Sequence, residues 1–453
     1  MLKFGTDGVR GVANQDLTPE LVVALGRAAA TVLPAGRFVV GRDTRRSGPL
    51  LEAALVAGLA AEGVEVVLLG VAPTPAVAWV AADESIAGAV ISASHNPFDD
   101  NGVKLFGLGG KKLDDDTEAA LEGELHRLLR HEAPRGLRTG AAVGTTTDGA
   151  TRLHRWVDSV AGSIDGRTFE GLRIALDCAN GAGSHVAPAL LRRLGAEVIV
   201  MHDRPDGTNI NAGCGSTHPE DLQRAVREHG AAVGIALDGD ADRALAVDGD
   251  GRLIDGDQII AIAAVDRHRA GTLAKDAVVV TVMSNLGFRL GMADHGISVV
   301  EVPVGDRSVL EALDDRGLSL GGEQSGHVIF ADRATTGDGL LTTVQLLDVM
   351  ARTGRPLAEL ADAAMTRLPQ VLRNVRVERG ARDSTEALAD LIAGVEADLG
   401  RRGRVLIRAS GTEPLVRVMV EAPTLEQATL AADRLAAAVA DLQVTPPGTL
   451  SGP

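Results

Sequence analysis

Apolar residues in this chain recur with two periods, and the switching between them marks out repeated units. Three segments share one order: a β-branched run, a Gly/Ser loop, a helix-length apolar stretch, a glycine, and a second β-branched run. They are RFVVGRDTRRSGPLLEAALVAGLAAEGVEVVLLG (37–70), LRIALDCANGAGSHVAPALLRRLGAEVIVMH (172–202) and AVVVTVMSNLGFRLGMADHGISVVEVPVGD (277–306). Period two followed by period 3.6 and a glycine stop predicts a β-α-β unit in each. The repeat is one of pattern, not of residue identity. After each unit comes a further short apolar or glycine-rich run that ends in a polar cluster: SASHNP (92–97), DGDADR (238–243) and GEQSGH (322–327). Ligands of open α/β sheets sit beyond the carboxyl ends of strands. Polar clusters at the same place in three repeats therefore predict three walls of one cleft.

The end of the chain reads differently. VLRNVRV (371–377) is a strand pattern and STEALADLIAGVEADLG (384–400) a helix; RVLIRASGTEPLVRVMVEA (404–422) is two strands around a polar turn; TLEQATLAADRLAAAVADL (424–442) is an amphipathic helix. The fold class expected is α/β: three repeated mixed-sheet domains plus a smaller C-terminal α+β domain around a central cleft. Breaks near 150, 253 and 367 divide the chain into 1–150, 151–253, 254–366 and 367–443, and the tail 444–453 lacks apolar periodicity and reads as disordered.

Composition narrows the partners. With 453 residues the chain is long enough for about three domains. Only 2% of residues are aromatic and none is tyrosine, so Ala, Val, Leu and Ile must build the cores, which suits layered α/β structure. A formal charge of −16 argues against a nucleic-acid platform. It leaves room for an anionic substrate, because a few arginines reverse the sign locally. Two cysteines, Cys178 and Cys214, suit a reducing compartment and no disulfide framework. MLKFGTDGVRG has no apolar signal core, and charges such as Glu62 and Glu65 interrupt the apolar stretches, so a soluble cytoplasmic protein without a membrane partner is expected.

Candidate chemistry sits in the clusters. Asp238, Asp240 and Asp242 alternate, and a curled loop brings them together. Held about 5 Å apart at an effective dielectric of about 20, each pair repels by roughly 3 kcal/mol, so the third carboxylate faces roughly 6–7 kcal/mol. Protonating an ordinary aspartate at pH 7 costs about 4 kcal/mol, so such a trio holds a proton, splays apart or binds a hard cation such as Mg²⁺, Mn²⁺ or Ca²⁺. The alternative is a solvated acidic turn; an EF-hand is excluded because Arg243 and Gly249 stand where Gly and Glu are needed. The neighbouring VDGDGRL (247–253) reads as a hairpin turn.

Ser94 lacks the G-x-S-x-G frame of a hydrolase elbow. On an extended backbone the His95 side chain would point away from it. Its alternatives are a strand-end serine making a local turn bond and a group for phosphoryl transfer beside a cation site and Lys104. Glu323, Ser325 and His327 lie on a glycine-framed loop that suits sugar hydroxyls or is an ordinary polar loop. RASGTEP (408–414) offers Arg408, Ser410, Gly411 and Thr412, with Arg417 beyond, as a phosphate nest or a plain hairpin turn. In GTDGVRG (5–11), Arg10 is an anion contact or a turn residue.

Taken in order, GTDGVRG, SASHNP, DGDADR, GEQSGH and RASGTEP resemble the α-D-phosphohexomutase superfamily, from residue 3 to about 440. KFGTDGVRG, ISASHNPFDDNGVKLF and SGTEPLVRVMVEA, with Gln324 inside GEQSGH, are most similar to its bacterial glucosamine-phosphate branch. The resemblance implies four domains and interconversion of glucosamine 6-phosphate and glucosamine 1-phosphate, on the route to UDP-N-acetylglucosamine. Phosphoserine 94 would pass its phosphoryl group to the sugar through a glucosamine 1,6-bisphosphate. Mg²⁺ would be held by Asp238, Asp240, Asp242 and a phosphoserine oxygen of Ser94. Arg10, His95, Lys104, Arg243 and His327 would serve the reacting atoms, Glu323 and Ser325 the sugar, and Arg408, Ser410, Gly411, Thr412 and Arg417 the phosphate that does not react. The resemblance leaves open the general base and a homodimer. Rival readings are a phosphomannomutase or phosphoglucomutase, a metal-dependent sugar phosphatase, and a non-enzymatic phosphosugar binder.

Overall fold

A computed structural model describes residues 8–130, 138–377, 388–409 and 415–441. By its internal contacts the chain divides into two units, 1–283 with 296–364, and 284–295 with 365–453.

The first unit carries three sheets among the described residues. The first runs β1 (Val9–Val12), β2 (Arg37–Arg42), β3 (Glu65–Val71), β4 (Ala87–Ile91), β5 (Asp100–Phe106) and β6 (Thr146–Asp148) in the spatial order β1-β5-β4-β2-β3-β6. The second contains β7 (Arg173–Asp177), β8 (Glu197–Met201), β9 (Val233–Leu237), β10 (Ala244–Asp248) and β11 (Leu253–Ile254) in the order β11-β10-β9-β7-β8. The third places β12 (Ala277–Thr281), β13 (Ser298–Val302), β14 (Leu320–Gly322) and β15 (Val328–Phe330) in the order β13-β12-β14-β15.

The three segments read as repeats are repeats of topology. Each is a parallel strand pair joined by a helix: β2 and β3 through Gly48–Ala61, β7 and β8 through Val186–Arg193, β12 and β13 through Leu286–Asp294. In each sheet a further strand then pairs parallel with the first of the two: β4 on β2, β9 on β7, β14 on β12. The polar clusters follow these added strands, so the shared pattern delivers them to equivalent strand ends. Central strands β4, β9 and β12 are buried at every position, as unbroken apolar runs in sheets covered on both faces should be.

β10 and β11 pair antiparallel around the Gly249–Gly251 turn, the hairpin expected there. DNGVKLF, to which the sequence reading assigned no element, is β5, antiparallel to β4 with Val90 opposite Lys104. That register sets the lysine beside the strand leading to Ser94.

In the second unit β16 (Gln370–Arg376), β17 (Arg404–Ala409) and β18 (Leu415–Glu421) form an antiparallel sheet in the order β16-β18-β17. Alternating Val371, Val405, Ile407, Val416, Val418 and Val420 pack against Ala428, Ala432, Leu435 and Val439 of the helix Leu425–Asp441. The expected strands and helices are there, the other helix being Ala389–Leu399. The turn 410–414 and the proposed disordered tail lie outside the described residues.

Candidate active site

The Ser94 turn is built by backbone strain and by a buried guanidinium. Ser94 has φ +53, a left-handed conformation that a residue with a side chain adopts only where its surroundings impose it. Here the surroundings are Arg45, which is 1% exposed. Its Nη2 donates to the carbonyls of Ser94 (3.0 Å) and Asn96 (2.8 Å), and its Nη1 to those of Asp100 (3.0 Å) and Pro97. Its Nε donates to Asp43 Oδ2 at 2.8 Å. Ser92 Oγ donates to the same oxygen at 2.6 Å and accepts from the Ser94 N–H at 2.9 Å. From the loop that follows β8, Asn211 Nδ2 reaches the Ser94 carbonyl at 2.9 Å. Gly239 closes over that carbonyl so tightly that a Cβ there would lie 2.5 Å from it.

The left-handed turn corrects one expectation. On an extended backbone His95 would face away from Ser94; instead its Nδ1 stands 3.4 Å from Ser94 Oγ and 3.2 Å from Arg243 Nη1. Burial, then the Arg243 and Arg10 guanidiniums, hold the imidazole below its usual pKa, so it is neutral at pH 7.

The aspartates lie where the turn points. Ala241 has φ +55, so the loop after β9 curls and does not run extended. Carboxylate oxygens of Asp238, Asp240 and Asp242 lie within 4.8 Å of one another, and all three residues are buried. Ser94 Oγ donates to Asp238 Oδ2 at 2.6 Å. Lys104 Nζ bridges Asp240 Oδ2 (2.8 Å) and Asp242 Oδ2 (3.2 Å), and Thr74 Oγ1 donates to Asp240 Oδ2 at 2.6 Å.

These neighbours split the trio electrostatically. Burial, then repulsion from Asp242 and Asp240, pushes Asp238 well above the carboxylate range. Burial would raise Asp240 as well, but Lys104, Thr74 and Arg10 outweigh it and leave that carboxyl lowered. Asp240 Oδ1 and Asp242 Oδ1 are nevertheless buried without a hydrogen-bond partner. A buried, unpartnered carboxylate oxygen is costly. Two of them, in an all-oxygen set beside a serine hydroxyl, fit a hard divalent cation.

Arg243 completes the cluster. Its N–H donates to Asp238 Oδ1 at 3.2 Å and its Nε lies 3.8 Å from Asp242 Oδ1. Burial alone would lower its pKa, but Asp242, Asp238 and Glu323 more than offset that and raise it. Arg10, opposite Gly102 on β1, is close enough to act on both His95 and Asp240.

The third cluster adjoins the aspartate loop through the backbone: Ala244 N–H donates to Gly326 O at 3.1 Å, and Gly256 N–H to Gln324 O at 3.0 Å. Glu323 accepts from Ser325 Oγ at 3.4 Å and from the Gly305 N–H at 3.3 Å. The Gln324 amide lies 3.4 Å from both Asp255 and Asp257. His327 is placed differently. It is 2% exposed, its ring packs on Gly337, and the nearest carboxylate is Asp306 at 3.8 Å. No described hydrogen bond or ion pair joins it to Ser94 or to the aspartates.

In the second unit Arg408 and Arg417 are direct cross-strand partners on β17 and β18. Ser410, Gly411 and Thr412 lie outside the described residues.

Sequence reasoning missed Asp43, Arg45, Thr74 and Asn211. GRDTRRSG was read as a connecting loop, and its only available signal was an Asp and an Arg two residues apart in a segment otherwise explained by turn chemistry.

Comparison with known proteins meets this geometry. The four models of the phosphoglucomutase/phosphomannomutase family match in order: alpha/beta/alpha domain I at 1–131, domain II at 154–251, domain III at 255–368 and the C-terminal domain at 372–438. A phosphoglucosamine mutase of Acidothermus cellulolyticus is 55% identical over 446 residues, covering 96% of this chain and 95% of its own. Among solved structures, a phosphoglucomutase/phosphomannomutase family protein of Burkholderia thailandensis superposes with a TM-score of 0.80 at 27% identity, over 99% of both chains. The N-acetylphosphoglucosamine mutase of Aspergillus fumigatus, solved with GlcNAc-6P and magnesium, shares the fold at a TM-score of 0.70 and 21% identity, over 98% of this chain and 96% of its own. Identity above half over nearly the full length places the chain in the phosphoglucomutase/phosphomannomutase family, on its phosphoglucosamine mutase branch.

Proposed function

We propose that Ser94 is the phosphoryl carrier of a mutase that interconverts glucosamine 6-phosphate and glucosamine 1-phosphate. The observation that carries this reading is the 2.6 Å hydrogen bond from Ser94 Oγ to Asp238, inside a buried trio of carboxylates. A phosphorylated Ser94 gives its phosphoryl group to a sugar hydroxyl, which loses its proton and becomes a phosphate ester. Glucosamine 1,6-bisphosphate results. The bisphosphate reorients and returns its other phosphoryl group to Ser94 Oγ, so phosphate is conserved and no water takes part.

When phosphate returns, Ser94 Oγ must give up the proton that it donates to Asp238 in this structure. Two acceptors stand within reach, Asp238 Oδ2 and the neutral His95 Nδ1 at 3.4 Å. Arg10, Arg243 and Lys104 supply positive charge around the transferring group, where positioning and neutralisation do most of the catalytic work. Arg45 and Asn211 hold the turn so that Oγ stays aimed. Asp238, Asp240 and Asp242, with an oxygen on Ser94, are the residues that would hold Mg²⁺, which supplies charge neutralisation when bound. The magnesium in the Aspergillus relative supports that assignment.

Glu323 and Ser325 suit sugar hydroxyls. Arg408 and Arg417 form a cationic cross-strand pair suited to a phosphate, with Ser410, Gly411 and Thr412 assigned beside them by the family pattern. His327, buried against Gly337, is assigned an indirect role. The domain breaks near 150, 253 and 367 are part of this reading, supported by the matched segments.

The test offers glucosamine, glucose and mannose 6-phosphates with Mg²⁺ and measures both 1-phosphate and free phosphate. Glucosamine 6-phosphate is expected to be turned over at least about tenfold faster than the others, without steady phosphate release. Equal or faster turnover of glucose or mannose would overturn the substrate assignment. Steady release of phosphate would overturn the mutase.

A further inference from the structure

A second cluster of ligand-type side chains stands in the second sheet, apart from the aspartate trio. Asp177 ends β7, His202 follows β8, and Cys214 precedes the short 3-10 turn Gly215–Thr217. Asp177 and Cys214 are completely buried, and His202 is partly exposed.

Two facts separate this group from an ordinary His–Asp ion pair. First, His202 Nδ1 lies 3.0 Å from Asp177 Oδ2, close enough for the carboxylate to raise the imidazole pKa, yet its N–H is not directed at that oxygen. An ion pair would direct the N–H at the oxygen. Here nitrogen and oxygen stand side by side, as two ligands of one centre do. Second, Asp177 and Cys214 each have an outer partner that holds the side chain in place. Asp177 Oδ1 accepts from the Ala179 N–H at 2.8 Å and Oδ2 from the Gly215 N–H at 2.9 Å. The Asn180 amide donates to Cys214 Sγ at 3.9 Å. Asp221 Oδ2 lies 3.9 Å from His202 Nε2, beyond hydrogen-bond distance.

We propose that Asp177, His202 and Cys214 form a second metal site, selective for a borderline ion such as Zn²⁺ over Mg²⁺. One sulfur, one imidazole and one carboxylate match zinc's preferences and not magnesium's. A tetrahedral ion at about 2.0–2.3 Å from each ligand sets the ligand atoms roughly 3.5 Å apart. The three atoms here lie within 4.8 Å of one another, so a small closing movement suffices. The partly exposed side of His202 leaves the fourth position to water. Binding displaces the Cys214 thiol proton to solvent. The bound ion would tie the ends of β7 and β8 to the loop that also carries Asn211, which holds the Ser94 carbonyl.

The experiment titrates the full chain with Co²⁺ in saturating Mg²⁺ and records its absorption. One equivalent of Co²⁺ is expected to give a thiolate-to-cobalt charge-transfer band, bleached by Zn²⁺. The all-oxygen aspartate site has no sulfur and cannot give that band. Cys214→Ser should abolish it and Cys178→Ser should keep it, with circular dichroism reporting the fold of each. His202→Gln, at a partly exposed position, should weaken Co²⁺ binding at least about tenfold. A wild-type protein with no such band, or a band that survives Cys214→Ser, would overturn the site.

Discussion

Arg45 grips the backbone of the Ser94 turn and Asp238 grips its hydroxyl, and the two groups of buried charge behind them are satisfied to different degrees. Asp43 and Arg45 are both fully buried, and the guanidinium meets four carbonyls besides the carboxylate. Burial pushes the Asp43 carboxyl up, with Arg45 and Ser92 working against it. Among the described residues the three aspartates accept hydrogen bonds from Lys104, Thr74, Ser94 and the Arg243 backbone, with the Arg243 and Arg10 guanidiniums near, yet two of their buried oxygens have no hydrogen bond. The contrast separates scaffold from site. A buried charge whose partners are complete fixes geometry; one whose partners are incomplete marks the place of a ligand.

The comparison breaks most easily at the aspartates. Asp240→Asn, or removal of divalent ions by a chelator, should lower turnover by about a hundredfold or more. Mg²⁺ should restore the chelated wild type and not the variant. Steady-state rates across a Mg²⁺ series decide this, and full activity in the chelated enzyme would mean that the trio needs no divalent ion.

On the scaffold side, Arg45→Ala leaves Asp43 buried and unpaired, which costs about 3–5 kcal/mol, read as a lowered denaturation midpoint. Arg45→Lys keeps the charge and loses the fork that serves four carbonyls at once. It should lower kcat about tenfold with KM little changed, because Ser94 is mis-aimed while sugar binding is untouched. A wild-type kcat in a folded Arg45→Lys would remove the positioning role.

A pH-dependent effect is expected at Asp338, whose Oδ1 caps the helix Gly339–Thr353 and whose Oδ2 accepts from Trp156 Nε1. Burial pushes this carboxyl up to about 6. The folded protein therefore holds that proton more tightly than the unfolded chain does. The resulting stabilisation is present below about pH 4 and is lost as pH rises through about 6, a change of roughly 3 kcal/mol at most. Asp338→Asn keeps the cap and should flatten the midpoint–pH curve between pH 4 and 6.

Much of the fold and of the candidate site was legible because both are local in sequence. Period-two runs with glycine stops lie within about thirty residues, and Ser94, the three aspartates and Glu323 each sit in a short polar cluster at a strand end. What was not legible acts at a distance. Arg45 meets Ser94 across 49 residues, Thr74 meets Asp240 across 166 and Asn211 meets Ser94 across 117. No periodicity announces such pairs. The closeness of His95 to Ser94 was missed for another reason. It depends on one left-handed φ at a non-glycine residue, which local propensity disfavours and the Arg45 hydrogen bonds impose.

Phosphoryl tracing reaches the central claim most directly. Enzyme labelled with ³²P on its own serine is mixed with unlabelled glucosamine 6-phosphate and Mg²⁺, then quenched and separated. Label should leave the Ser94 peptide and appear in glucosamine bisphosphate and monophosphate, and Ser94→Ala should neither take up label nor turn over substrate. Label found on another residue, or a Ser94→Ala enzyme that still isomerises, would contradict the assignment of Ser94 as carrier.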